Sequence, residues 1–384
     1  MKKNKKILSL EGIRGIAFVA VMLTHTGMNC PLFKGAGSWA VSVFFMISGF
    51  VALVTQYKTT TIPSVKNNIL YTVKRISKTY PIYLLCLIVM LLFDFIGSVT
   101  KQTTIVFLRL FLNIFLIQEW IPLIDRSIVG TSWFLCTIFL SGFVFPWILE
   151  KMQKDYSLEK AEKNILFLFF FQILIVMIGH FIPKTFLQNK NIISNIPDWF
   201  VYNFPPSRLI DVLIGNNVGY IYIANGNKKV KNATQKEMFV VLFSIIAIII
   251  HGSFLNNHNL IVNTFLPPTN NILSLYAVLY TPICSTLVLL FSYEQGKISK
   301  LIANRATLHL AKLSRSGFLI SDVVNRYLLA IILFVVGKEN EMIFRNYYMK
   351  YIYLVVGIPL SLACCQIWIS ITNRIKSKKH IEVQ

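Results

Sequence analysis

Arg14 and His25 lie eleven positions apart in the first apolar stretch of this 384-residue chain. In a helix turning about 100° per residue, eleven steps bring His25 to within ~20° of Arg14 and roughly 16 Å further along the axis. Glu11, three residues before Arg14, falls near the same face. Three ionisable side chains then share one side of an otherwise greasy helix. Such groups within a membrane segment are costly unless they face a cavity or a partner, so they mark a candidate site. A guanidinium at depth suits a phosphate or carboxylate, because it stays charged and binds such groups bidentately. An imidazole takes a proton from a hydroxyl near neutral pH. The pair fits an anionic donor at one level and an activated alcohol at the other. A plainer reading also stands: Arg14 pairs with Glu11 as an orientation anchor, and His25 is interfacial.

Composition says what kind of element carries these residues. The chain is 55% hydrophobic and 14% charged, with mean hydropathy +0.61. That is far from an average soluble domain. Thirty Phe and 16 Tyr supply bulk suited to lipid and to its boundary with water. The expected fold class is all-α, a polytopic transmembrane bundle, and no long polar block divides residues 1–384 into more than one domain. The net charge of +22 is read as positive-inside loop charge rather than as a nucleic-acid surface. Cys86, Cys136, Cys284, Cys364 and Cys365 lie in apolar runs and Cys30 stands near a helix end. No CxxC or Cys/His metal spacing occurs, so the cysteines are expected as small core residues and no metal is expected. Lys2, Lys3, Lys5 and Lys6 before the first apolar run imitate a signal peptide. Glu11, Arg14 and His25 within that run argue for a retained first span.

Apolar segments fall near 8–27, 37–56, 79–97, 104–120, 132–149, 165–183, 208–224, 238–254, 272–293, 317–336 and 351–371. Basic loops follow at Lys58–Lys78, Lys151–Lys163, Lys228–Lys236 and Lys297–Arg315, and a basic tail covers 372–384. They alternate correctly only if one segment between 79 and 131 fails to cross. We therefore expect ten spans, both termini cytoplasmic, and one re-entrant or broken segment, with the short 104–120 run as first choice. A non-crossing helix at that depth is tolerated when packed in protein or beside a water-filled cavity, which places a cavity near it. The polar stretches 184–207 and 255–271 would face outward, either over an acceptor site or as plain solvated loops.

Four elements in order carry a family resemblance. They are Glu11-Gly12-Ile13-Arg14-Gly15 with His25 after ten intervening residues, Phe44 to Phe50 (Phe-Phe-x-x-Ser-Gly-Phe), Arg75-x-x-Lys78 before Tyr80-Pro81-Ile82-Tyr83, and Arg208 to Gly219 (Arg-Leu-x-Asp-x-x-x-Gly-x-x-x-Gly). Over residues 7–330 the chain resembles the acyltransferase-3 family of integral membrane O-acyltransferases, which modify bacterial surface glycans. Members with an extracytoplasmic hydrolase-like domain carry it after the last span. This chain ends in a short basic tail and resembles the stand-alone type.

The resemblance implies transfer of an acyl group, usually acetyl, from acyl-CoA as co-substrate to a hydroxyl of a cell-surface or lipid-linked glycan, at the bacterial cytoplasmic membrane. It implies His25, Arg14 and Glu11 as catalytic residues. Arg14, Arg75, Lys78, Tyr80 and Tyr83 would bind acyl-CoA, and Ser48, Trp133, Arg208 and Asp211 would line the cavity. Two departures stand out. Lys78 replaces the family's second arginine, keeping the charge and losing the fork. In the run 313–321, Arg315 and Phe318 stand where the family has tyrosines, and Ser321 or Asp322 stands where it has a late histidine.

Bland roles are open for several of these residues. Arg75 and Lys78 also read as positive-inside anchors, Tyr80 and Tyr83 as belt aromatics, and Trp133 as an interfacial anchor. Arg208 and Asp211, at i and i+3, read as an intramembrane ion pair, and Gly215 and Gly219 as a small-xxx-small packing face. His180 and His251 end apolar runs and read as interfacial; His258 sits in an outward loop. A transporter or flippase for a polar or lipid-linked substrate is the alternative class, with an inactive relative as a third. No internal repeat supports a transporter.

Overall fold

The computed structural model describes residues 6–59, 62–97, 103–122, 127–182, 196–226, 228–256, 275–337, 339 and 341–381. Every regular element among them is helical. Six helices are long and apolar enough to cross a membrane, or seven if the pair Val65–Ile76 and Tyr80–Leu92, bent by 68°, is one span. The main helices are α1 (Leu8–Thr24), α2 (Pro31–Gln56), α3 (Val65–Ile76), α4 (Tyr80–Gly97), α5 (Thr103–Ile114) and α6 (Trp133–Lys154). They continue as α7 (Leu158–Phe181), α8 (Pro205–Asn225), α9 (Ala233–Asn256), α10 (Leu275–Ser292), α11 (Lys297–Ile302), α12 (Arg305–Val336) and α13 (Ile358–Ile381).

Helix α2 is the hub and packs on α1, α8, α9 and α10. Small residues make its contacts close. A Cβ on Gly49 would strike the Val212 carbonyl, and one on Gly215 the Met46 carbonyl. The two backbones therefore touch, and Asn216 Nδ2 adds a 2.8 Å hydrogen bond to Gly49 O. Where lipid is as apolar as leucine, this close packing and its polar glue hold helices together. Gly215 and Gly219 form the packing face that their spacing indicates, against Met46 and Phe50. Gly12 of α1 meets Ile302 at the end of α11, and α1 runs parallel to α12, with Gly15 against Thr307 and Phe18 packed on Gly317.

Two segments near the site differ from expectation. The stretch after α2 is not a plain loop. Ser64 caps α3 by accepting from Asn67 N at 3.2 Å. Asn68, Thr72 and Ile76, four residues apart, bury one face of that helix. Asn68 Nδ2 donates to Phe143 O at 2.9 Å and ties α3 to α6.

The short segment after α4 is the twelve-residue α5, about 18 Å long. It ends in a turn at Leu116, whose φ is +57°. The Tyr80 hydroxyl donates to Ile114 O at 2.7 Å and the Tyr83 hydroxyl to Asn113 O at 2.9 Å. Two tyrosines of α4 thus cap the last carbonyls of α5, which a helix cannot satisfy itself.

The cysteines are free, with Cys86, Cys136, Cys284 and Cys365 buried and Cys30 and Cys364 half-buried. His251 is not interfacial: it is buried, and its Nδ1 lies 2.9 Å from the Tyr280 hydroxyl, which donates to Gly35 O at 3.0 Å. Burial here is affordable because both polar groups are bonded. The side chain of His180 and all of His258 lie outside the described residues.

Candidate active site

A hollow of about 870 Å³ runs through the bundle, lined by α1, α2, α3, α6 and α12 together with Tyr202 and Leu255. On α2 its lining extends from Lys34 to Gln56, a rise of about 33 Å. That matches the ~30 Å hydrocarbon thickness of a bilayer.

Arg14 and His25 both line this hollow, as do Ser48, Arg75, Lys78 and Trp133. Helices α1 and α2 are antiparallel neighbours, with Thr24 against Gly37. Ten residues back along α1 stands Arg14, and eleven residues on along α2 stands Ser48. The two are therefore level, about 15–16 Å from the His25 end.

This lower level is basic. Arg14 Nη1 donates to Glu11 Oε1 at 3.1 Å, and Glu11 Oε2 pairs with Lys6 at 3.1 Å. Glu11 holds the guanidinium from outside the hollow. Arg75 Nη2 donates to the Ser48 hydroxyl at 2.6 Å, while Arg75 Nη1 is buried with no hydrogen-bond partner. Lys74, Lys78 and Arg315 add further cations here, Lys34 lines the hollow at the His25 end, and no Asp or Glu lines it among the described residues. A low-dielectric hollow with one sign of charge concentrates anions.

The other level carries the imidazole. His25 ends α1, its N–H bonded to Val21 O at 3.1 Å. Its side chain is accessible to the hollow and makes no hydrogen bond among the described residues. The Asp322 carboxylate is close enough to act on it electrostatically. Asp322 is itself fixed by Gly130 N at 2.7 Å and Arg326 Nε at 3.5 Å. Ser321 is buried and turns its hydroxyl back to Phe318 O at 3.1 Å. Of the two residues at the late-histidine position, Asp322, not Ser321, is the one whose charge reaches His25.

Trp133 opens α6 at this wall, with the Tyr202 ring 5.3 Å away and the Phe45 ring at 6.1 Å. Between the two levels the Phe318 ring packs edge-on against Phe44 and Phe134, at 4.8 and 5.9 Å, so the hollow has an aromatic waist.

An anion held beside Arg14 and Arg75, with a free imidazole one helix length away, is an arrangement that activates a hydroxyl towards an anionic donor. The acyltransferase domain model of the acyltransferase-3 family matches residues 7–369, nearly the whole chain. The chain belongs to the acyltransferase-3 family. No curated protein and no solved structure matches it. The match reaches into α13, beyond the four motifs, and makes the protein a membrane acyltransferase.

The acyltransferase gathers some of its sequence-singled residues and not others. Tyr80 and Tyr83 do not line the hollow; their hydroxyls are spent on α5. Arg208 and Asp211 are fully buried behind the wall and paired at 3.1 Å. The Arg208 guanidinium lies 5.2 Å from the Phe45 ring and 5.1 Å from the Tyr202 ring, so it backs two lining aromatics rather than facing the hollow. Gln172 Nε2 donates to Asp211 Oδ1 at 3.2 Å, and Gln172 Oε1 accepts from the Thr281 hydroxyl at 2.6 Å.

Among the described residues none of α5 lines the hollow either. Its last carbonyls are turned to Tyr80 and Tyr83 of α4, and in this region of the chain α3 and the break before α4 border the hollow instead. Sequence reading gave no site role to Lys34, Tyr71, Lys74, Tyr202 or Arg315, all of which line the hollow. A charged residue inside an apolar helix was the available signal for Lys34 and Arg315. No local signal marks Tyr202, which reaches the hollow from the polar stretch before α8.

Proposed function

We propose that this acyltransferase moves an acyl group, acetyl in the simplest case, from acyl-CoA to a hydroxyl of a cell-surface or lipid-linked glycan at the bacterial cytoplasmic membrane. The carrying observation is that Arg14 and His25 line one continuous hollow. In this reading ten helices cross (α1, α2, α4, α6, α7, α8, α9, α10, α12 and α13), both termini are cytoplasmic, and α5 is the segment that dips in and returns. Every basic loop then lies on the donor's side.

The donor enters from the basic end and its phosphates meet Arg14, Arg75 and Lys78. Its thioester reaches the level of His25. The acceptor hydroxyl approaches from the opposite face, past Trp133 and Tyr202. His25 takes the hydroxyl proton as the oxygen attacks the thioester carbon. The resulting oxyanion needs hydrogen-bond donors, for which the Trp133 indole N–H is suited. The C–S bond then breaks, the ester stays on the glycan, and the thiolate leaves with the proton held by His25. Glu11 positions Arg14, and Asp322 stabilises the imidazolium.

The test is ester-acetate analysis of surface glycan from cells expressing wild type, His25→Ala or Arg14→Ala, with donor consumption measured on purified protein. Ester that depends on both residues, with matching thiol release, is the expected result. Unchanged acetylation in both variants, together with failed export of a glycan precursor, would sink the acyl-transfer role of this hollow in favour of transport.

A further inference from the structure

Three guanidiniums face the hollow, and they are not equivalent. Arg14 is held by Glu11 at 3.1 Å and Arg75 by Ser48 at 2.6 Å. Arg315 has no hydrogen bond or ion pair among the described residues, is exposed to the hollow, and is close enough to Arg14 for the two cations to repel. Glu11 attracts Arg14 from outside the hollow, and among the described residues no carboxylate lines the hollow itself. Two guanidiniums brought together in a partly desolvated wall favour an anion placed between them.

The position of Arg315 follows from helix packing. Parallel α1 and α12 bring Gly15 against Thr307 and Ala311, and Phe18 against Gly317, so Arg315 enters the hollow near Arg14. Arg315 lies within electrostatic range of Arg14, which stands about 16 Å of helix rise from His25. That rise is close to the reach of a pantetheine arm between its thioester and its diphosphate. Guanidinium forks match phosphate oxygens two at a time.

We propose that Arg315 and Arg14 together clamp the diphosphate of the coenzyme A donor, with Arg315 a binding residue at a position where the family resemblance implies a tyrosine. This rests on the donor reading above. With a thioester beside His25, the diphosphate falls between the two guanidiniums. Lys74, Arg75 and Lys78 then remain for the ribose phosphate. The charge that separates Arg14 from Arg315 in the empty hollow becomes the attraction that seats the donor.

The experiment is equilibrium binding of CoA, 3′-dephospho-CoA and pantetheine to the purified full-length protein in nanodiscs. Wild type is compared with Arg315→Gln, Arg315→Lys and Arg315→Tyr, each first checked for the wild-type melting profile. We expect Arg315→Gln and Arg315→Tyr to weaken CoA and 3′-dephospho-CoA by the same factor, about tenfold. Pantetheine binding stays unchanged, and Arg315→Lys recovers part of the loss. A loss seen with CoA but not with 3′-dephospho-CoA would place Arg315 at the ribose phosphate and overturn the assignment. So would unchanged CoA affinity in Arg315→Gln. Wild type that binds none of the three probes would remove the donor reading itself, an outcome separate from any effect of Arg315.

Discussion

Arg75 Nη2 donates a 2.6 Å hydrogen bond to the hydroxyl of Ser48 and a longer one, 3.4 Å, to its carbonyl. This contact ties α3 to the hub helix and aims one edge of the guanidinium at the protein. The other terminal nitrogen has no acceptor of its own. A buried donor left unmet costs free energy that a ligand anion would recover. Ser48→Ala should weaken acyl-CoA binding about tenfold, since a hydrogen bond to a charged group contributes ~1.5–3 kcal/mol. The readout is KM against kcat with acetyl-CoA. KM should rise while kcat changes less, and Arg75→Ala should exceed Ser48→Ala. A fall in kcat alone would place the pair at the reacting centre instead.

His25→Ala should leave CoA affinity close to wild type and lower turnover by ~10²–10⁴-fold, the usual worth of a positioned general base. Isothermal binding and thiol-release rates separate the two. Loss of binding with the rate per bound donor preserved would make His25 a binding residue.

Tyr83→Phe should destabilise without touching the donor site. The Tyr83 hydroxyl caps the buried Asn113 carbonyl at 2.9 Å, and leaving such a group unpaired costs about 1–3 kcal/mol. A lowered melting temperature with unchanged KM for acetyl-CoA is expected. Tyr80→Phe should act in the same sense and more weakly, because its bond to Ile114 O is more exposed. A raised KM with normal melting would return these tyrosines to the donor site that the family resemblance implied.

Arg208→Met and Asp211→Leu should each destabilise by about 3–5 kcal/mol, because each strands a buried charge. The double variant should be more stable than either single one, since no charge is then left alone. Melting in detergent measures all three. Additive losses in the double variant would show that the two side chains do not act as a pair.

Much of the site could be read from the chain. Arg14 and His25 share a helix, so their spacing alone determines that they face one way, whatever packs around them. The same holds for Gly215 and Gly219, whose four-residue interval lays a flat face on α2. Tyr80, Tyr83, Arg208 and Asp211 carry the family motif as plainly, yet their surroundings come from distant segments. The Tyr80 and Tyr83 hydroxyls meet carbonyls some thirty residues on. Arg208 meets the Phe45 ring across the bundle. A motif names these residues without saying which side of the wall they occupy.

The sequence by itself determined the all-helical membrane class, the family and the shared face of Arg14 and His25, because hydropathy and helical periodicity are local properties. Tertiary structure decided that Arg315 and Tyr202 join that face and that Arg208 stands behind it. Which side chains border a hollow depends on how separate helices cross, and the close approach of glycine to backbone at Gly15, Gly49 and Gly215 sets those crossings.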